Sequence, residues 1–249
     1  MEGADMTDSA RSGHTKGVRL EYLGHCAFRM TTPGGTRIVV DPFRNSGDEQ
    51  RWFLRPSPPV EADVLVITHP HFDHDAVDSI LGEPGLIDEA GEIRGEDYVL
   101  RTLAGRHARD FAVAIGYKNL IVVLESGGVR ICLAADNWAE IEDELRDEIG
   151  PVDLLTVAVD DEDLILDTDE ATRLVDILGP KVVLPTHYLI EGLTDPESGL
   201  GGIKNWRASQ ARVRDLEGSA VMITADGLPK EREGWVFGSC VALEDGGGS

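Results

Sequence analysis

Ile67-Thr68-His69-Pro70-His71-Phe72-Asp73-His74 closes the apolar run that begins at Val64, and its reading decides the rest of the chain. Val64-Leu65-Val66-Ile67, flanked by Asp63 and by a proline-containing segment, fits a short buried strand. His69, His71, Asp73 and His74 then fall within six positions on the loop that leaves its C-terminal end. Imidazole and carboxylate are the donors that borderline divalent cations such as zinc prefer. On a helix His69 and His71 would point apart, because residues i and i+2 do not share a face. An irregular loop can turn all four toward one point. The plainer alternative is a polar surface turn with chance histidines.

Seven histidines are present: His14, His25, His69, His71, His74, His107 and His187. His107 and His187 each follow a strand-like run, residues 98–104 and 181–185, and Asp136 ends another, residues 129–135. Polar donors at the ends of apolar strands are the usual layout of a site carried by a sheet scaffold. Each alone would read as a hydrogen-bonded packing residue or, for Asp136, as a helix cap. Their order after the HxHxDH cluster is what joins them.

In that order (Asp41 after an early strand, HxHxDH, then His107, Asp136 and His187) the chain resembles the metallo-β-lactamase superfamily across residues 18–226. The resemblance implies an α/β fold, a four-layer αβ/βα sandwich with two mixed β-sheets flanked by helices. It implies that His69, His71 and His107 hold a first metal ion, that Asp73, His74 and His187 hold a second, and that Asp136 bridges the two. Two divalent ions are expected, zinc first, with manganese and then iron as alternatives. Asp41 resembles the early aspartate that orients a ligand histidine, although in Asp41-Pro42 it also reads as a turn residue.

Leu23-Gly24-His25-Cys26-Ala27-Phe28, the Asp41-Pro42 step and Pro185-Thr186-His187-Tyr188 are similar to small stand-alone hydrolases of the L-ascorbate-6-phosphate lactonase-like type. That likeness implies that His25 lies near the metal pocket as a catalytic group, either contacting substrate or supporting a metal ligand from behind; a hydrogen-bonded hairpin histidine is the alternative. The chain also departs from the pattern. The aspartate segment reads Ala135-Asp136-Asn137 rather than Gly-Asp-Thr, and Ala104-Gly105-Arg106-His107 keeps only Gly-x-His. A Gly-Gly-His segment found in several relatives is replaced by Val157-Ala158-Val159-Asp160-Asp161-Glu162-Asp163. These departures bear on substrate identity more than on metal binding.

At 249 residues the chain suits a single hydrolase domain over residues 18–242, with a disordered tail at 1–17 and a flexible one at 243–249. No stretch has the length of a membrane span, and the polar N-terminus lacks a secretory core. Cys26, Cys132 and Cys240 offer no disulfide framework, and Cys26 and Cys132 read as small core residues. The expected location is cytoplasmic. Forty-six acidic against 23 basic residues give a net charge of −23, which repels polyphosphate backbones and argues against nucleic acid as a partner. Only five of the basic residues are lysine, a balance that suits a high-salt cytoplasm or a high-GC genome. A homo-oligomer stays open.

Strands are expected at 18–22, 26–31 and 36–40, followed by a long irregular stretch at 43–59 in which Trp52, Phe53 and Arg55 either line a pocket mouth or simply pack. A short helix is expected at 73–81, and strands at 97–104, 118–126 and 129–136. Asn137 reads as the N-cap of a helix over 138–149, residues 152–159 as a strand, and Asp167-Thr168-Asp169-Glu170 as a capping box opening a helix to Leu178. Residues 181–184 form the strand that delivers His187, 206–216 an amphipathic helix, and 220–224 a last core strand.

Five neutral imidazoles and two carboxylates on two divalent ions leave a local charge of +4 − 2 = +2, or +1 with a bridging hydroxide. Such a centre favours a small-molecule substrate that is anionic or has a polarised carbonyl. The expected reaction is hydrolysis of an ester, lactone, amide or phosphodiester by the metal-bound hydroxide, with Asp73 orienting the nucleophile or moving its proton. Two further classes stay open: a non-catalytic metal-binding or regulatory module, and a di-iron redox protein, which His71 disfavours because flavin-linked di-iron relatives carry Glu there.

Overall fold

The computed structural model describes residues 16–44, 52–109 and 119–244, and in it the early apolar runs form an antiparallel ribbon. β1 (Val18–Gly24), β2 (Ala27–Thr31) and β3 (Arg37–Val40) alternate in direction, and β5 (Val64–Val66) then joins β3 in parallel. With β15 (Ala220–Ile223) beside β1 and β7 (Gly85–Ile87) beside β5, they make a six-stranded mixed sheet. The second sheet has eight strands. Its order is β14 (Val213–Leu216), β16 (Glu233–Phe237), β13 (Val182–Thr186), β12 (Leu154–Ala158), β11 (Val129–Leu133), β10 (Asn119–Ser126), β9 (Tyr98–Gly105) and β8 (Gly91–Arg94). β4 (Val60–Glu61) and β6 (Ile80–Leu81) pair separately.

One core lies between the sheets, where Leu20, Phe28, Met30, Ile38 and Leu65 meet Leu100, Val122, Leu124, Ile131, Leu154 and Leu184. The outer face of the second sheet (Ile121, Val123, Leu155, Val157 and Val183) is covered by Ile149 of α1 (Asp143–Ile149), Leu174 and Leu178 of α2 (Thr168–Leu178), and Trp206 of α3 (Lys204–Ser209). α4 (Val241–Glu244) packs against β1 on the other side. This is the expected order of two mixed sheets between helices, with thin helical layers. No described helix is long and apolar enough to cross a membrane.

Several expected elements take another form. The helix expected at 73–81 is a turn through Asp73 and His74, then a 3-10 turn at Val77–Ser79 and β6. Adjacent residues of a helix project about 100° apart, whereas Asp73 and His74 here face one buried point. The helix expected from 138 begins only at Asp143, because Asn137 turns its amide to other backbone groups. Its Oδ1 accepts from the Arg106 N–H at 3.1 Å and its Nδ2 donates to the Trp138 carbonyl at 2.8 Å. The amphipathic stretch 206–216 divides into the end of α3 and β14, since the edge of β16 captures the chain from Val213 onward. β7 and β8 have no counterpart among the expected strands: they are exposed edge strands whose side chains carry no burial pattern.

At the termini, Leu243 and Glu244 are helical rather than part of a flexible tail, and Gly17 lies against Ile223 and Thr224. The disorder expected at 1–15 and 245–249 lies outside the described residues.

Candidate metal centre

Strand direction gathers the ligand-type side chains at one edge of both sheets. β1, β3 and β5 run the same way, and their C-terminal ends lead to His25, Asp41 and residues 67–74. β9, β11, β12 and β13 likewise share a direction, and three of their ends lead to His107, Asp136 and His187. Binding sites form beyond the carboxyl ends of such strands. Backbone bonds hold the connecting loops together. Leu120 N–H donates to the Thr68 carbonyl at 3.0 Å across the two sheets, and Ala108 N–H donates to the Asp136 carbonyl at 2.8 Å.

All seven residues expected to hold metal meet at this edge. His69, His71, His107 and Asp136 form one group whose donor atoms lie within 4.8 Å of one another. Asp73, His74 and His187 form a second group of the same spread, with His25 as its fourth member. Asp136 spans both. Its Oδ2 lies 3.6 Å from Nε2 of His69, 3.6 Å from Nε2 of His107 and 3.8 Å from Nε2 of His187. Its Oδ1 lies 3.5 Å from Nε2 of His74. Asp73 Oδ2 is similarly central, 3.0 Å from His25 Nε2, 3.4 Å from His74 Nε2 and 3.3 Å from His187 Nε2. Every member is buried except His71, which is half-buried and marks the open side.

Asp41 does not face the centre but holds His74 directly and His69 through Thr68. Its Oδ2 accepts from His74 Nδ1 at 2.9 Å and from the Thr68 hydroxyl at 2.6 Å, and its Oδ1 accepts from the Thr68 N–H at 2.8 Å. The same hydroxyl lies 3.0 Å from Nδ1 of His69.

Backbone strain clusters at the same place. Among the described residues, the non-glycine positions with positive φ are His25 (55°), Asp41 (51°), Ala135 (49°), Asp163 (55°) and His187 (63°). Two of them, His25 and His187, are in the centre, Ala135 is next to Asp136, and Asp41 holds His74. Left-handed backbone at β-carbon-bearing residues costs free energy and persists where surrounding structure enforces it, typically at functional sites. Gly24, before His25, has φ 125°, and a Cβ there would meet Leu193 Cδ2 at 2.6 Å.

The electrostatics favour a cation. Burial alone would raise Asp136 and Asp73, but the imidazoles around them, His187 and His74 for Asp136 and His74 first for Asp73, hold both well below the usual carboxylate range. Burial pushes His25 and His71 down to about 4, and neighbouring imidazoles (His187 beside His25, His69 beside His71) push the same way. Burial would also lower His74, yet Asp136 and Asp73 raise it well above its ordinary value. Nε2 of His69, Nε2 of His74 and Oδ1 of Asp136 are buried with no hydrogen-bond partner. Buried polar atoms are rarely left so. Nitrogen and oxygen donors, deeply buried and aimed at a common point, fit one or two divalent cations.

Other expected residues are placed differently. Trp52 is half-buried, its ring 5.8 Å from His187 and 5.2 Å from Phe72, so it walls the second group. Phe53 is fully buried against Phe43 and His25 and lines no mouth. Arg55 reaches the Ala242 carbonyl at 3.5 Å, away from the centre. Cys26, expected as a core residue, is buried but lies among donor atoms of His74 and Asp136. Its place in the same two-residue turn as His25 is the signal in the sequence that points to it.

Compared with known proteins, residues 19–187 match the β-lactamase superfamily domain. The chain is similar to a protein named a metal-dependent hydrolase from Thermus thermophilus, 28% identical over 193 residues that cover 69% of this chain and 84% of the relative. In fold it is similar to a candidate zinc-dependent hydrolase of the metallo-β-lactamase superfamily from Thermotoga maritima, with a TM-score of 0.70 at 24% identity, covering 89% of this chain and 99% of the other. It is also similar to a metallo-hydrolase from Ignicoccus hospitalis, with a TM-score of 0.55 at 20% identity, covering 83% and 98%. Both structural likenesses concern the fold alone.

Proposed function

We propose, because this chain belongs to the β-lactamase superfamily, that it is a metal-dependent hydrolase with a dinuclear centre acting on a small-molecule ester, lactone, amide or phosphodiester. His69, His71, His107 and Asp136 would hold one divalent ion, and Asp73, His74 and His187 the other, with Asp136 shared. Zinc suits this mixture of imidazole and carboxylate, with manganese next. Ions held there supply Lewis acidity and hydroxide at neutral pH.

The chain's own groups do the positioning. Asp73 takes the role of orienting the nucleophile or accepting its proton, and His25, hydrogen-bonded to Asp73 Oδ2 at 3.0 Å, holds that carboxyl in place. Trp52 and Phe72 give the second group an apolar wall. A substrate with negative charge near its scissile bond suits a centre whose bound ions outweigh two carboxylates.

The observation that carries this reading is the position of Asp136, within 3.8 Å of Nε2 of His69, His74, His107 and His187 at once. The test is metal analysis of protein purified without added metal, paired with a panel of chromogenic esters, lactones and phosphodiesters. Two zinc or manganese ions per chain are expected, with turnover that falls more than about 100-fold in His69→Ala, beyond what loss of an outer hydrogen-bond partner of a ligand costs. Bound metal without turnover on any class would point to a binding module, and iron with redox activity to an oxidoreductase. Protein that takes up no metal would end the reading.

A further inference from the structure

The turn between β1 and β2 consists of His25 and Cys26 alone, since Gly24 pairs with Ala27. Hairpin turns normally lie on the surface. This one is buried, with His25 0% and Cys26 4% exposed, because the C-terminal end of β1 points into the edge where the ligand-type residues gather. The sulfur of Cys26 lies within 4.8 Å of donor atoms of His74 and Asp136. Nε2 of His74 and Oδ1 of Asp136 are 3.5 Å apart, buried, and without hydrogen-bond partners. Three donors of suitable type thus surround one point from three directions: a hairpin turn, the HxHxDH loop and the end of β11. Among the described residues, the other two cysteines have no such company. Cys132 packs with Ile121 and Leu155, and Cys240 lies in the apolar core beside α4.

We propose that Cys26 is a metal ligand, its thiolate completing the coordination of the cation that His74 and Asp136 share. The inference rests on the dinuclear reading above and goes beyond its ligand set. On binding, the S–H bond breaks, the proton leaves to solvent, and the sulfur electron pair is donated to the cation. A thiolate is soft, so this position favours zinc and cobalt over manganese. Chemically the residue then acts as a selector of the metal, not as a spacer in the core.

The test is cobalt(II) added to metal-free protein, with bound cobalt counted by mass spectrometry and the absorption spectrum recorded. Wild type is expected to show a sulfur-to-cobalt charge-transfer band in the near ultraviolet. Cys26→Ser should lose the band while still binding cobalt, and Cys132→Ser should keep it. Zinc affinity of Cys26→Ser should fall on the order of tenfold or more, with manganese affinity little changed. Wild type that carries two cobalt ions without the band overturns the proposal, as does a band that survives in Cys26→Ser. Should Cys26→Ser not fold, a band kept in both Cys132→Ser and Cys240→Ser still assigns it to Cys26, and a band lost in either overturns the proposal. Cobalt bound without the band leaves the hydrolase reading standing; no bound cobalt removes both.

Discussion

Asp41 shows how much of the centre depends on a residue that never faces it. One carboxylate receives the His74 ring N–H, the Thr68 hydroxyl and the Thr68 backbone N–H, and it does so from a strained backbone with φ 51°. Asp41→Asn keeps the shape but replaces one acceptor oxygen with a donor. Metal affinity should fall by about 10–100-fold, the usual cost of losing an outer partner of a metal-bound histidine. Competition with a chromophoric chelator measures it, and unchanged affinity would show that Asp41 is only a turn residue. In the sequence Asp41 was legible as either. What it touches was not, because His74 is 33 positions away and reaches it only when β3 and β5 pair. The ligand-type side chains of residues 69–74 were legible for the opposite reason: they are neighbours in the chain, so no fold is needed to bring them close.

At the scale of elements, β1 and β2 are joined by a charged pair as well as by their ladder. Glu21 and Arg29 are directly opposite, and Arg29 donates to both Glu21 oxygens at 2.8 and 2.9 Å, with Arg19 on the same face. Burial would raise the Glu21 carboxyl, but Arg29 and Arg19 bring it below its ordinary value of 4.5. A carboxylate depressed in this way stabilises the fold fully above its unfolded pKa and loses that contribution as pH falls through the folded one. Glu21→Gln should therefore cost about 1–3 kcal/mol in urea unfolding at pH 7. The gap to wild type should narrow on acidification below about pH 4; a gap constant with pH would assign it to packing.

Elements whose signal is local matched their expectation. The box at Asp167 and Glu170 opens α2, with Glu170 N–H on Asp167 at 2.7 Å and Asp167 N–H on Glu170 at 3.0 Å. Elements settled by a distant partner did not. β14 exists because β16 lies beside it, and the polar stretch at 91–94 is a strand only because β9 has a free edge there.

For the whole molecule, the centre is also a fastening. It joins strand ends from both sheets, and with Asp73 and Asp136 buried among imidazoles the folded chain is the state that would bind cations. A ligand bound only by the folded state at about 100 times its Kd adds about 2.7 kcal/mol, which for a chain of this size corresponds to roughly 5–10 °C in Tm. Calorimetry should show that gain when zinc is added to chelator-treated protein. An unchanged Tm with zinc in excess would argue that the cluster is a hydrogen-bonded core and not a metal centre. The charge of −23 acts at this scale too: it repels polyanions, whereas a centre loaded as proposed would favour small anions.

By itself the sequence determined the chemical type of the site and the order in which its donors arrive, because a strand end followed by clustered imidazoles and a carboxylate is a local pattern. It also determined the alternation of apolar runs that becomes two sheets. Only the tertiary structure decided that His25 and Cys26 join the centre and that Phe53 and Arg55 do not. His25 meets Asp73 across 48 residues of chain, a contact that depends on β1 and β5 running the same way in one sheet. No spacing rule reaches that far, since the distance between two strand ends is set by the pairing between them and not by the residues at either end.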